Sequence, residues 1–106
     1  MDLSKKKCVP CEGGVPAMGE EQACSLLAQV PGWEHHDGAL VRTVKFKDFV
    51  GSMAFVNKVA EVAEAEGHHP DIHISWNKVT LTLTTHAIGG LSENDFILAA
   101  KINTLS

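Results

Sequence analysis

Apolar residues recur along this chain in two rhythms, one of three to four residues and one of two, and together they lay out seven elements. Ala23, Leu26, Leu27 and Val30 keep the helical spacing, so a helix starts around Met18 to Glu21, and Pro31-Gly32 stops it. Asp37-Gly38 is a hairpin signal joining a strand around Trp33-His36 to one around Ala39-Lys47. In the second strand Leu40, Val44 and Phe46 share a face opposite Val41, Thr43, Lys45 and Lys47. Arg42 interrupts that apolar face, and the sequence offers no reason for it.

Asp48 is placed to cap a long helix that ends near Glu66. The spacing predicts a buried stripe of Phe49, Met53, Val56, Ala60 and Ala63, widened by Val50, Ala54, Val59 and Val62. Ile72, Ile74 and Trp76 then alternate with polar residues, and Asn77-Lys78 turns the chain. Val79, Leu81 and Leu83 alternate with Thr80, Thr82 and Thr84. After Gly89-Gly90, Ser92 opens a last helix carrying Phe96, Ile97, Ala100 and Ile102. The order is α-β-β-α-β-β-α with no signal for a parallel βαβ unit. That order predicts an α+β fold in which three helices pack on one face of a four-stranded antiparallel sheet.

The breakers Pro10, Gly13-Gly14 and Pro16 make residues 1–19 an extended or flexible N-terminal arm ahead of a domain over 20–106. With 106 residues, 44% hydrophobic and 21% charged, the chain reads as one soluble domain with a modest core. A formal net charge of −4 gives no footprint for nucleic acid or an anionic membrane. No apolar run approaches the roughly 20 residues that span a bilayer. No secretory leader is recognised, and three cysteines argue against a closed disulfide framework, so a cytoplasmic location is expected. Cys8-Val9-Pro10-Cys11 is a lone C-x-x-C lacking further partners, with Cys24 as a possible third ligand or an ordinary helix position. Gly89-Gly90 lacks the lysine and hydroxyl that complete a phosphate loop, and a turn is the simpler reading.

Six histidines in so short a chain call for an explanation. Gly67 can end a helix in the left-handed conformation, and Pro70 biases His69 toward extended backbone. Two adjacent imidazoles are therefore held at a helix exit, with Glu64 one turn before His68, a spacing at which the two can meet if the helix runs that far. The strand leading to His86 returns toward the end at which Ile72 begins, so His86 can approach His68 and His69. A three-histidine zinc site would need both adjacent rings to aim at one ion, and the helical H-E-x-x-H pattern is missing. Separate surface roles suit His35, His36 and His73. For His68, His69 and His86, metal-free acid–base chemistry is the favoured reading, since imidazole exchanges protons near neutral pH. Asp95, three residues after Ser92, can cap the last helix and serve the site as well.

Glu64, His68-His69-Pro70, Trp76, His86 and Asp95, with Gly32-Trp33, Phe46-Lys47-Asp48-Phe49, Asn77-Lys78-Val79, Thr84-Thr85-His86 and Gly90-Leu91-Ser92, together resemble the pterin-4a-carbinolamine dehydratase family over roughly residues 20 to 105. The resemblance implies dehydration of 4a-hydroxytetrahydrobiopterin, or a related carbinolamine, to the quinonoid dihydropterin, which recycles the pterin used by aromatic amino acid hydroxylases. It implies no metal and no cofactor beyond the pterin substrate. His68 and His86 would be the acid–base pair of a catalytic trio in which His69 also binds and orients the substrate. Glu64 would orient His68, Asp95 would support the site from the last helix, and Trp33 and Thr85 would contact the substrate. Asn94 departs from the family, where an arginine often stands. A homo-oligomer, dimer or tetramer, is also implied. The alternative is a non-enzymatic binding module that stabilises a partner protein's dimer, as some animal relatives do.

Overall fold

A helix needs its first backbone donors satisfied, and the chain supplies a side-chain acceptor at the starts of its two longer helices. The computed structural model describes residues 19–36, 38–85 and 90–105. The elements run α1 (Glu20–Leu27), β1 (Glu34–His36), β2 (Ala39–Lys45), α2 (Phe49–Glu66), β3 (Asp71–Ser75), β4 (Lys78–Leu83) and α3 (Glu93–Asn103). Asp48 accepts from the Gly51 amide at the start of α2, and Ser92 with Asp95 forms a capping box at the start of α3. Gly67 ends α2 with φ 66, the left-handed turn that a side chain resists.

The strands form one antiparallel sheet in the order β1-β2-β4-β3. The α+β order expected from the sequence is the observed one. Val79, Leu81 and Leu83 of β4 are buried toward the helices, while Lys78, Thr80 and Thr82 are not. Period-two burial on one side is what a sheet covered on a single face requires. Leu40, Val59, Leu81, Leu83, Phe96, Leu98 and Ile102 sit fully inside. The α3 residues 96–100 and 102 are all buried, so this helix lies within the core and not along its rim.

Three details depart from the expectations drawn from sequence. First, α2 buries Ser52, Phe55, Val59 and Ala63, whereas Phe49 and Val50 are 50% and 76% exposed. The stripe is rotated because the sheet is met by Phe55, whose ring lies 5.1 Å from that of Phe46 at the end of β2. Second, the β3–β4 turn is Trp76-Asn77 and not Asn77-Lys78, since Ser75 pairs with Lys78. Trp76 stands at φ 52 and is 67% exposed, and it belongs to no strand. Asn77 anchors this turn to β2: its amide side chain donates to the Phe46 carbonyl, and its own carbonyl accepts from the Phe46 amide at 2.7 Å.

Third, Arg42 has a structural reason for interrupting an apolar face. Its Nη1 donates to Asn103 Oδ1 at 2.6 Å, and its stem passes beside Gly32, where φ is 90. Burial lowers the Arg42 pKa from its usual value. Asn103 Oδ1 also accepts from the Trp33 indole at 2.9 Å, while Asn103 Nδ2 donates to the Pro31 carbonyl. One amide thus ties the α1–β1 connection, β2 and the end of α3 together.

Cys24 is exposed on α1, and Cys8 and Cys11 lie outside the described residues. So do the expected arm before residue 19, Asp37 and Gly89. Among the described residues no helix is long and apolar enough to cross a membrane.

Candidate active site

The exit from α2 sends two neighbouring histidines to two different carboxylates. Gly67 at φ 66 breaks the helical path, and its amide closes on Ala63 and Glu64 carbonyls. His68 therefore does not stand one turn above Glu64. Its Nε2 meets Asp95 Oδ1 at 2.6 Å, at the start of α3. Glu64 instead meets His69, Oε1 to Nε2 at 2.9 Å. The expected partnership of Glu64 with His68 is thus replaced: helix geometry would have brought them together only if α2 had continued past Glu66.

The two pairs differ in environment as well as in partner. The His68 side chain is 14% exposed and that of Asp95 not at all, whereas His69 and Glu64 are 56% and 80% exposed. A buried charge-assisted bond is short and strongly orienting, while an exposed ion pair is worth ~0–1 kcal/mol. Asp95 accordingly acts as the fixed point of the site. Its Oδ2 accepts from the Thr85 hydroxyl at 2.9 Å and from the Ser92 amide at 3.0 Å. Thr85 Oγ1 is itself 2.8 Å from Ser92 Oγ.

Strand pairing brings these groups together. Asp71 pairs with Thr82, so β4 runs past the start of β3 toward the α2 exit. Beyond β4, Thr85 is bridged to Gly90 by two backbone hydrogen bonds, which returns the chain to Ser92 and α3. Thr84 Oγ1 donates to the Gly38 carbonyl and fastens the same end of β4 to the β1–β2 hairpin. Thr85 is only 4% exposed and its hydroxyl is committed to Asp95 and Ser92, a placement that supports the site from behind.

Trp33 lies elsewhere. It is buried in the core and bonded to Asn103, eight residues beyond Asp95 and so about 12 Å further along α3 at 1.5 Å per residue. His86, the third histidine of the expected trio, lies outside the described residues. His36 is exposed and bonded to Glu34, and His35 and His73 lie on β1 and β3. Asn94 is buried beside Asp95 in the first turn of α3. Among the described residues, no three histidine, cysteine or carboxylate side chains converge as a metal-binding group.

Two features of the site were not legible in the sequence. Ser92 is recognisable as a helix start, but its hydroxyl contact with Thr85 depends on the Thr85–Gly90 bridge. The full burial of Asp95 is signalled only indirectly, by the apolar Phe96-Ile97-Leu98 run that follows it. Chemically, the site offers an imidazole held by one nitrogen against a buried carboxylate, with a second imidazole next to it near the surface. Such a pair suits proton transfer to and from a bound molecule.

Comparison with known proteins points the same way. The profile of the family described as pterin 4 alpha carbinolamine dehydratase matches residues 16–105. A Nitrosomonas eutropha protein provisionally named pterin-4-alpha-carbinolamine dehydratase is 52% identical, over 98% of this chain and 93% of its own length. Pterin-4-alpha-carbinolamine dehydratase 2, mitochondrial, of Arabidopsis thaliana is 51% identical over 98% of this chain and 59% of its own. Among solved structures, a transcriptional coactivator/pterin dehydratase from Brucella melitensis superposes with a TM-score of 0.80 at 34% identity. That match covers 84% of this chain and 97% of the Brucella chain.

Proposed function

Because the chain belongs to the pterin-4-alpha-carbinolamine dehydratase family, a family of hydro-lyases, we propose that it dehydrates 4a-hydroxytetrahydrobiopterin, or a close carbinolamine, by histidine acid–base catalysis. The product is the quinonoid dihydropterin, and the step recycles a pterin oxidised by aromatic amino acid hydroxylation. The observation that carries the catalytic part is the 2.6 Å contact of His68 with the fully buried Asp95.

The reaction removes the C4a hydroxyl and the N5 proton and leaves a C4a–N5 double bond and water. One group must protonate the departing hydroxyl, and another must accept the proton from N5. The N5 lone pair supplies the electrons that expel water, so neither step demands a cofactor. His68 and His86 are assigned these two transfers, without specifying which does which. His69 orients the pterin from the exposed side, steadied by Glu64. Asp95 holds His68. With Trp33 bonded to Asn103 deep in the core, we assign it to the fold and not to the pterin.

The expected result is that His68→Ala and His86→Ala each slow turnover of a chemically generated carbinolamine by about 10²–10⁴-fold, with circular dichroism unchanged. Full activity in both variants would overturn the catalytic assignment.

Self-association and a cytoplasmic setting complete this reading. One plant relative carries a mitochondrial name, so the compartment differs within the family. A binding role beside the enzymatic one is favoured by the likeness to the Brucella protein, whose name pairs transcriptional coactivator with pterin dehydratase. In that reading the chain stabilises a partner's dimer. It would be sustained by a partner captured equally well by wild type and His68→Ala, and recovery of self-oligomers alone would count against it.

A further inference from the structure

The hydrogen atoms around Asp95 can be assigned one by one, and their distribution fixes which nitrogen of His68 is left for chemistry. An ionised carboxylate only accepts. Asp95 Oδ2 already takes the Thr85 hydroxyl proton and the Ser92 amide proton. Having given its single proton to Asp95, Thr85 Oγ1 must accept at its 2.8 Å contact, so Ser92 Oγ–H is the donor there. The Asp95 backbone amide returns to Ser92, donating to its carbonyl at 3.1 Å and facing its hydroxyl oxygen in the capping box. These contacts occupy Oδ2 with two donors and leave Oδ1 facing His68 Nε2.

We propose that Thr85 and Ser92 are positioning residues that, through Asp95, hold neutral His68 as the Nε2–H tautomer and reserve its Nδ1 as the atom that exchanges a proton with substrate. The inference rests on the dehydratase reading for the word substrate, but the tautomer is a property of the free protein. Oδ1 can only accept, so Nε2 must carry the hydrogen in the 2.6 Å contact. Without the two clamps on Oδ2 the carboxylate could turn about its terminal torsion, which is soft. His68 would then lose the acceptor that selects one tautomer. The helix cap of α3 thereby serves two purposes, starting the helix and orienting an imidazole 27 residues earlier in the chain.

Long-range ¹H–¹⁵N correlation spectra of the uniformly labelled full chain, without substrate, read the His68 tautomer directly. Wild type is expected to show Nε2 protonated and Nδ1 bearing the lone pair at a pH where the ring is neutral. Thr85→Val, which removes the side-chain donor from Oδ2, is expected to show a tautomer mixture and a kcat about tenfold lower at unchanged KM, within the ~10²–10⁴-fold range of a positioned acid or base. Ser92→Ala, which keeps its amide on Oδ2 and removes only the hydroxyl beside Thr85, is expected to show a smaller change of the same kind. Thr85→Ser keeps the hydroxyl and is expected to restore both readouts, which also covers the case in which Thr85→Val fails to fold. A wild-type His68 protonated at Nδ1 would overturn the proposal. So would variants that keep the Nε2–H signature while activity falls only with the folded fraction, the mark of a purely structural role. If wild type shows the Nε2–H tautomer but no turnover, the dehydratase reading fails and the clamp on His68 stands.

Discussion

Asp95 carries more of this protein's logic than any other side chain, because it is a carboxylate with no exposure whose contacts are all assigned to a purpose. It starts α3, receives Thr85 and faces His68. Asn103 plays the comparable part at the other end of the same helix, holding Trp33, Arg42 and Pro31. Asn103→Ala leaves the buried Trp33 indole without that acceptor, and a buried donor left unsatisfied costs about 1–3 kcal/mol. Urea unfolding should therefore show a loss in that range with activity per folded molecule unchanged. Glu64→Gln tests the opposite case. Its exposed pair with His69 is worth at most about 1 kcal/mol, so the melting temperature should barely move.

At the scale of elements, nearly all of the fold is legible in the sequence, and the exceptions have identifiable causes. The caps Asp48 and Ser92, the breaker Gly67 and the alternation in β4 are local signals, and each element begins or ends where they say, whereas α1 ends at Leu27, ahead of Pro31-Gly32. The facing of α2 is not local. Its sequence holds apolar residues on nearly every side, so periodicity alone cannot choose between the Phe49 and Phe55 stripes; contact with Phe46 chooses. The Glu64–His68 pairing fails for a similar reason, since Gly67 ends the helix two residues before the spacing is complete. His68 with Asp95 joins residues 27 apart, and only the packing of α2 on α3, which includes the Glu66–Lys101 pair, brings them together. The rotated stripe has a direct check. Phe55→Ala should destabilise by about 3–5 kcal/mol, as for buried aromatic truncations, and Phe49→Ala by far less in the same denaturation experiment. Equal losses would restore the facing that periodicity suggests.

For the whole molecule, the sheet separates two regions of different character. At one end of β4 stand His68, Thr85 and Asp95; at the other stand the strained turn at Trp76 and, at the start of α2, exposed Phe49 and Val50. Large apolar side chains left in water favour association, so the homo-oligomer proposed above should weaken when Val50→Glu and Trp76→Ser are combined. Sedimentation velocity should then show a smaller species that retains the His68–Asp95 site. An unchanged species would place the interface elsewhere.

At the centre stands an imidazole anchored by a buried carboxylate, which we propose moves protons during loss of water from a pterin carbinolamine. Its most direct test is the initial rate of carbinolamine dehydration against concentration of the chelator-treated chain, wild type beside His68→Ala. The wild-type rate is expected to rise in proportion to protein and the variant's to fall toward the spontaneous rate. A wild-type rate no faster than the spontaneous one, or a variant as fast as wild type, would contradict this role for His68.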